Sequence, residues 1–166
     1  QFTVLENPTV RSPVTAQRNV EDFAPVEACF VRFNVLGTNR GEACIDELQV
    51  FSAEKNVALV QNGARASSSG DFVHPLHKLK HINDGNFGNA KSWISSTVSG
   101  GWVQIEFAKL ERIERIVWQR DRTGEYSDRL ATNYQITASV DGEKWFQLAS
   151  SEDRNLFSEN SAPRYD

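Results

Sequence analysis

Oxygen-bearing side chains and glycines cluster in one segment of the chain, residues 82–89 with the sequence INDGNFGN. Asp84 supplies a carboxylate, Asn86 and Asn89 supply amide or main-chain oxygens, and the two glycines let the backbone turn tightly. Ca²⁺ prefers about six to eight such oxygens, several of them carbonyls held in turns. The segment therefore predicts a calcium site, or alternatively an Asx-rich turn that is closed by its own hydrogen bonds and holds no ion.

Glu47 is a second candidate for metal binding because of its neighbours. It lies between Ile45 and Leu48, which we expect to be buried on a strand. A carboxylate without a partner beside a buried strand is energetically costly. Either a calcium ion or an arginine such as Arg129 would remove that cost, and the sequence leaves both open.

Three histidines lie close together in the chain, at His74, His77 and His81. On a helix these spacings would place the rings on one face, where they could hold zinc. However, Pro75 could lie only in the first turn of such a helix, and no Cys or carboxylate completes the set. The alternatives are loop histidines that face solvent, and neutral imidazoles that hydrogen-bond sugar hydroxyls.

The segment 120–129 is dense in charged and turn-forming residues and connects two expected strands. It is either a solvated loop in which an Asp–Arg pair braces the sheet, or one rim of a sugar-binding site. In a sugar site, Arg and Asp would exchange hydrogen bonds with hydroxyls, and an aromatic ring would stack on a pyranose face. The candidate sugar contacts are Phe72, His74, His77, Phe87, Arg120, Arg122 and Tyr126.

The elements that must position these residues are short strands, in which apolar and polar residues alternate between turn-forming segments. One or two helical turns are expected only near residues 74–81. This pattern predicts an all-β fold rather than an α/β fold. The expected strands span residues 30–36, 45–51, 57–59, 64–68, 103–107, 113–118, 134–140 and 144–148.

The first two of these strands are predicted to form a hairpin through the turn-forming segment 37–41. In that hairpin Cys29 would lie opposite a residue near Phe51 and away from Cys44. The two cysteines are therefore expected to be half-buried thiols. A disulfide stays open if the protein is exported.

The composition excludes several classes of protein. With 166 residues, of which 39% are hydrophobic, the chain can bury a core. A net charge of −4 argues against nucleic acid or an anionic membrane as the main partner, and no apolar run approaches the ~20 residues of a membrane span. The usual motifs of a catalytic serine, a zinc protease or a phosphate loop are missing, so we expect no enzymatic activity.

Several fragments share their order with one known family. They are residues 56–59 (NVAL), 66–69 (ASSS), 82–86 (INDGN), 92–96 (SWISS), 101–107 (GWVQIEF), 113–118 and 134–145. Together they resemble the discoidin, or coagulation-factor C-type, family, which includes the family 32 carbohydrate-binding modules. The resemblance implies an antiparallel β-sandwich jelly roll of the galactose-binding-domain-like type.

Two strands that normally end such a domain stand at the front of this chain, as residues 28–33 and 45–51. We therefore expect a circularly permuted domain, because the termini of a sandwich commonly lie close together. Alternatively, residues 26–52 end a preceding, truncated domain. The expected organisation is an extended N-terminal arm at 1–24 with a short strand at 2–5, one domain at 25–150, and a C-terminal tail at 151–166.

The resemblance also implies a set of calcium ligands. In similar modules the main-chain carbonyls that correspond to His81 and Asp46, and the carboxylate that corresponds to Glu47, join the Asp84 loop. This chain departs from the family pattern at Lys91, where Ser or Thr is common, and the last ligand is open among Asn89, Ala90 and Ser92. The expected set is His81, Asp84, Asn86, Asn89, Asp46 and Glu47.

These implications predict a non-catalytic carbohydrate-binding module with a structural calcium ion. Its partner would be an oligo- or polysaccharide, and it would be secreted or periplasmic as part of a larger protein. Because a shallow site buries little of a sugar, the affinity should be modest. The alternative is a discoidin-like protein-interaction or scaffold module without sugar specificity.

Overall fold

A computed structural model describes residues 10–159, and in this range strands are joined by loops and single 3-10 turns. The all-β antiparallel sandwich expected from the sequence is confirmed. The strands are β1 (Asn19–Thr38), β2 (Cys44–Ile45), β3 (Glu47–Ser52), β4 (Lys55–Asn56), β5 (Arg65–Ser68), β6 (Trp93–Ile94), β7 (Trp102–Gln119), β8 (Ala131–Ser139) and β9 (Trp145–Ser150). The 3-10 turns are Val60–Asn62, Leu79–His81, Asn89–Lys91 and Ser151–Asp153. Between residues 10 and 159 no helix is long and apolar enough to cross a membrane.

Two long strands, β1 and β7, organise the sandwich. One edge of β7 pairs with β1, and its other edge pairs with β5 near its start and with β3 near its end. β1 also pairs with β8, so the strand order is β4-β3-β7-β1-β8-β9, with every pair antiparallel. A separate ladder joins β2 to β6. The first strand thus lies in the middle of the sheet, as a permuted domain requires, and the permuted order itself stays a prediction.

The predicted hairpin between residues 30–36 and 45–51 is wrong. The first segment belongs to β1 and pairs with β7 and β8, whereas the second belongs to β3 and pairs with β7. β7 separates them because a central strand offers hydrogen-bonding groups along both edges, and each segment takes one edge. The turn-forming residues 37–41 bend the chain, but they do not decide which strand it meets next.

The arm expected at residues 1–24 ends earlier than predicted, because β1 begins at Asn19. This part of β1 pairs with the second half of β7, and its register shifts between Asp22 and Val26. Pro25 lies within that shift, where a residue without an amide hydrogen is tolerated. The shift interrupts the apolar alternation by which a strand is recognised in a sequence. The short strand predicted at 2–5 lies outside the described residues.

Three aromatic rings fill the centre of the core. Phe33, Trp118 and Tyr134 are buried, with ring centroids 4.8 to 5.2 Å apart. Beside them lies the fully buried carboxylate of Glu21, which accepts hydrogen bonds from the Trp118 indole and the Tyr134 hydroxyl. Burial and the neighbouring Glu21 charge raise the pKa of Tyr134.

Arg11 and Arg154 bring the two ends of the described chain to Glu21. Their guanidinium groups lie 2.6 and 3.1 Å from its carboxylate oxygens, which compensates the buried charge. The same segments are joined along the backbone. The Arg11 amide donates to the Asp153 carbonyl, and the Asn155 amide donates to the Arg11 carbonyl, both at 2.8 Å. The first residues of the predicted tail therefore pack against the domain.

Cys29 and Cys44 are free thiols, which is the outcome that the sequence favours. Cys29 lies on β1 and is partly exposed, while Cys44 lies on β2 and is buried. Burial raises the pKa of the Cys44 thiol to about 11. The Cys44 thiol is therefore protonated at neutral pH and behaves as a small core side chain.

Candidate calcium site and ligand-binding surface

Three loops meet at one end of the sandwich. The β1–β2 connection contacts the β7–β8 loop, because the Cys44 amide donates to the Arg129 carbonyl and the Arg129 amide donates to the Arg40 carbonyl. The β5–β6 region joins them where the Ser95 amide donates to the Ala43 carbonyl at 2.9 Å. In an antiparallel sandwich, alternate connections lie at the same end of the strands. Side chains that are distant in the chain therefore become neighbours here.

The buried carboxylate of Asp46 ties two of these loops together. Its Oδ2 atom accepts hydrogen bonds from the amides of Gly88 and Arg122, at 2.8 and 2.9 Å, and its Oδ1 accepts from the Gln119 side chain at 2.5 Å. Burial raises the pKa of Asp46, and these three bonds act in the opposite direction. The Asp46 side chain therefore fixes the calcium-loop candidate, residues 82–89, against the loop that follows β7.

Glu47 is fully buried and only half satisfied. One carboxylate oxygen accepts the Gly85 amide, while Oε1 is buried without a hydrogen-bond partner. Burial, followed by repulsion from Asp84, raises the pKa of Glu47 to about 9. The arginine alternative is wrong, because Arg129 pairs with Glu42 at 2.5 Å. Within residues 10–159 Glu47 forms no ion pair.

Asp84 lies in the turn above Glu47. Its Oδ1 accepts the Asn86 amide at 2.9 Å, which closes an Asx turn, and its Oδ2 lies 3.2 Å from Nδ1 of His81. Gly85 adopts a φ of 82°, a left-handed conformation that favours glycine. In residues 10–159 no three His, Cys, Asp or Glu side chains are grouped to hold a metal, so the three histidines do not form the zinc site considered above.

This donor set fits calcium better than a transition metal. Glu47 and Asp84 supply two carboxylates that lie close enough to repel each other. Hard oxygen ligands of this kind suit Ca²⁺, which needs no histidine or cysteine. A buried carboxylate oxygen without a partner is the feature that a cation would relieve. The residues present therefore fit the ion that the family resemblance implies.

Arg120 is not a solvent-facing sugar contact, in contrast to the prediction. Only 2% of this residue is exposed. Its guanidinium donates to the Asp128 carbonyl and carboxylate, to Oδ1 of Asn89 at 2.8 Å and to Sγ of Cys44 at 3.1 Å. The Asn89 carbonyl accepts the Ser92 hydroxyl at 2.6 Å. Both oxygens of Asn89 are thus engaged, and we leave Asn89 out of the proposed ligand set.

Arg122 and Phe87 form a stacked pair. The Arg122 guanidinium carbon lies 3.8 Å from the centroid of the Phe87 ring. The guanidinium donates to Gln49 at 2.8 Å and to Gln119 at 3.3 Å, but its Nε is buried without a partner. Burial lowers the pKa of Arg122. Arg122 also lines a groove described below, whereas Phe87 does not.

His74 and His77 lie side by side, with ring centroids 4.8 Å apart. The Ser92 hydroxyl donates its proton to Asn89, so Nδ1 of His77, 2.9 Å from that hydroxyl, acts as a donor. Nδ1 of His74 accepts the Leu76 amide at 3.1 Å. In their neutral forms His77 therefore keeps an accepting Nε2, and His74 keeps a donating Nε2–H. His74 is partly exposed, whereas His77 is buried and is therefore not the direct sugar contact that the sequence predicts.

Tyr126 is the exposed aromatic ring of this end, with 41% of the residue open to solvent. The buried Arg120 lies behind it, 5.4 Å from its ring centroid. Asp121 holds the turn in place by accepting the amide of Tyr126 at 3.0 Å. Phe72 is partly exposed and lies 5.5 Å from the Arg129 guanidinium. Aromatic faces and polar groups therefore border the same surface.

Sequence reasoning missed the structural roles of the Asp46 side chain, Gln119 and Arg120. All three are buried polar residues, and two of them directly follow the apolar strand segment 113–118. A polar run immediately after a buried strand indicates residues that secure the next loop rather than residues that face solvent. Glu21 gave no recognisable pattern, because its partners come from four distant segments.

Fold and site together define a β-sandwich that presents irregular loops at one end, an architecture used by binding modules. The model of the F5/8 type C domain matches residues 63–165, which is more than half of the chain. The chain therefore belongs to the F5/8 type C, or discoidin, family, whose domains are typically non-catalytic binding modules. No curated protein matches the chain, and no solved structure matches it.

Proposed function

We propose that this domain is a non-catalytic carbohydrate-binding module that holds a structural calcium ion at its loop end. The family supports a binding module, and the chemistry of the loop end supports sugar as the ligand. The observation that carries the proposal is the exposed Tyr126 ring, which is braced by the guanidinium of the buried Arg120 at 5.4 Å from its centroid. A braced aromatic face is what a pyranose ring needs for stacking.

The calcium ion would be held by the carboxylates of Glu47 and Asp84 and by main-chain carbonyls of the loop that includes His81 and Asn86. Once bound, it would supply positive charge that compensates two neighbouring carboxylates. The unpartnered Oε1 of Glu47 supports this assignment. The ion would stabilise the loop rather than contact the ligand, because Tyr126 is positioned by Asp121 and not by this loop.

A sugar hydroxyl would be recognised by the partly exposed His74, whose Nε2–H can donate to a pyranose that Tyr126 covers. The buried His77 would support this ring from behind through its hydrogen bond to Ser92. The site is open and shallow, and for that reason we expect modest affinity. We extend the proposal to an exported protein, which is the setting that the family resemblance implies.

A glycan array followed by isothermal titration calorimetry tests this function. Tyr126→Ala should abolish binding of the best glycan, and Tyr126→Phe should retain most of it, because stacking needs the ring and not the hydroxyl. Phe146→Ala is the matched control, since Phe146 is an exposed aromatic residue (38%) on β9. Equal affinity of the wild type and Tyr126→Ala would contradict the proposed sugar site.

A protein-interaction module is the second candidate. Val73 is 96% exposed and Leu76 is 51% exposed, and both flank His74 at the loop end. Exposed apolar side chains at a loop tip are typical of contact with a protein partner. If no glycan binds and a purified partner loses affinity for a Val73→Ser, Leu76→Ser double variant, this second function replaces the first.

A further inference from the structure

A groove of about 1050 Å³ runs across the outer face of the sheet formed by β3, β7 and the first part of β1. Cross-strand pairing sets its floor. Phe51 lies opposite Arg115, which lies opposite Asp22, and in the next row Gln49 lies opposite Val117. Its volume matches the upper end of natural ligand sites, ~300–1,000 Å³. Tyr126 and the imidazole pair do not line it.

The groove combines apolar and hydrogen-bonding surface. Phe23, Phe51 and Val117 supply the apolar part, while the amides of Gln17 and Gln49 are polar groups at its walls. Arg115 and Asp22 in the floor neutralise each other at 2.7 Å. Aromatic rings beside side-chain amides suit a sugar chain, because each sugar has an apolar face and hydroxyl edges.

The two ends of the groove differ in charge. At the end nearest the calcium-loop candidate lie Arg18 and Arg122. Burial lowers the pKa of Arg122, the carboxylate of Asp46 acts in the opposite direction, and the nearby charge of Arg18 lowers it further. The Arg122 Nε has no partner, and the Arg18 side chain forms no hydrogen bond or ion pair within residues 10–159. The exposed Arg18 guanidinium, with its free donors, and the charge of the neighbouring Arg122 form a site for an anion.

The other end of the groove is acidic. Glu54 lies in the turn after β3, and Glu114 lies on β7 next to Arg115. The strand β3 runs from one end of the groove toward the other. Glu47 pairs with Gln119 at the basic end, and Phe51 pairs with Arg115 toward the acidic end. Carboxylates at this end accept hydrogen bonds from hydroxyls but repel a second anion.

We propose that this groove is a second binding site, for a glycan chain that carries one anionic group, a carboxylate or a sulfate, beside neutral sugars. The anionic group binds Arg18 and Arg122, the neutral sugars lie along Phe23 and Phe51, and their hydroxyls donate to the acidic end. The choice of a glycan rests on the proposed carbohydrate function, but the site does not depend on the loop end. A uniformly anionic chain fits poorly, because it places like charge beside Glu54 and Glu114.

Calorimetry with four probes tests the site. The probes are a neutral xylo-oligosaccharide, the same chain bearing one glucuronic acid, the same chain bearing one sulfate, and a hexaglutamate peptide. We expect the wild type to bind one or both single-anion chains more tightly than the neutral chain, and the difference to shrink with salt. The two anion arms show whether carboxylate or sulfate is preferred, and either supports the site.

Arg18→Gln should weaken binding of the preferred chain by roughly fivefold, the effect of removing one exposed charge pair, and adding Arg122→Gln should remove the preference for an anion. Arg112→Gln is the matched control, because Arg112 is exposed on β7 and does not line the groove. Arg18 makes no side-chain bond, so Arg18→Gln should fold normally and is decisive if the double variant does not fold. The site is overturned if Arg18→Gln has no effect, if Arg112→Gln weakens binding equally, or if hexaglutamate binds as tightly as the glycan.

The loop-end site and the groove fail separately. If Arg18→Gln weakens binding of the single-anion chain and Tyr126→Ala does not, the groove stands whatever the loop end binds. If Tyr126→Ala abolishes all glycan binding and Arg18→Gln changes nothing, the loop-end function stands and the groove proposal is wrong.

Discussion

The backbone amide of Gly85 donates a hydrogen bond to one carboxylate oxygen of Glu47, and the other oxygen of that carboxylate is buried without a partner. Glu47 is on β3, whereas Gly85 follows Asp84 in a loop far along the chain. The loop is therefore held over a carboxylate that it satisfies only in part. This arrangement favours a cation at the junction, and it gives the calcium proposal a thermodynamic test.

Calcium should raise the melting temperature of the wild type, and chelation with EGTA should reverse the rise. At a calcium concentration tenfold above the dissociation constant, the expected stabilisation is about 1.4 kcal/mol, or roughly 3–6 °C for a domain of this size. Glu47→Gln and Asp84→Asn should lose the calcium response, because each removes a ligand charge. Differential scanning calorimetry measures the shift.

Asp141→Asn is the matched control for the calcium test. Asp141 also closes a turn before a glycine, by accepting the amides of Glu143 and Lys144 at 2.9 Å, but it lies between β8 and β9. The control should keep the full calcium response even if its stability falls. A wild-type melting curve that calcium leaves unchanged would contradict the proposed calcium site.

Arg120→Gln should lower the free energy of unfolding by about 2–4 kcal/mol. The substitution leaves Asn89 and the partly exposed Asp128 without their main donor in a closely packed region. Arg40→Gln, at an exposed arginine, should cost less than about 0.5 kcal/mol. Urea denaturation measures both values. Wild-type stability of Arg120→Gln, together with lost glycan binding, would restore Arg120 as a direct sugar contact.

Stability should fall as the pH is lowered below the ordinary histidine pKa of ~6.5. Burial lowers the pKa of His77 in the folded state, and so does the positive charge around it, so the unfolded chain binds the proton more tightly. The contribution is therefore present above pH ~6.5 and is lost as the pH drops. The charged and titratable groups that face His77 are His74, Arg120, Arg129 and His81.

Urea denaturation at pH 7.5 and pH 5.5 checks this dependence. His77→Asn should show a smaller fall in the free energy of unfolding than the wild type, because its amide can still donate to Ser92 but does not titrate. His74→Asn is the control at the neighbouring ring. Equal pH dependence of the wild type and His77→Asn would show that His77 does not couple folding to protonation.

A circular permutant should fold. Arg11 and Asn155 are hydrogen-bonded along the backbone, so Asp166 can be fused to Gln1, with the residues outside 10–159 as the linker, and the chain opened between Ala53 and Glu54. That product would have the family's usual strand order and should retain cooperative unfolding in circular dichroism. In contrast, deletion of residues 1–52 should give an insoluble product, because β1 is central. A soluble, cooperatively melting deletion product would exclude the permuted domain.

The residues of the candidate site could be proposed from the sequence, but the sequence did not show which of them are buried structural residues and which line a binding surface. Local patterns indicate three of these residues. They are an Asx–Gly turn at Asp84, a carboxylate beside a strand at Glu47 and an aromatic residue in a polar loop at Tyr126. Arg120 and Arg122 look alike in the sequence. One is a buried brace and the other lines a groove, because both follow the end of β7, where the chain turns and the period of two that governs a strand no longer holds.

The sequence by itself determined an all-β sandwich of the discoidin family, since alternation, turn residues and family fragments are written along the chain. Only the tertiary structure decided that β7 separates residues 30–36 from 45–51, and that Gln49, Val117 and Arg18 border one groove. Pairing between distant strands depends on which edges are free once the other strands are in place. That choice is made by the whole sheet, and no local stretch of sequence contains it.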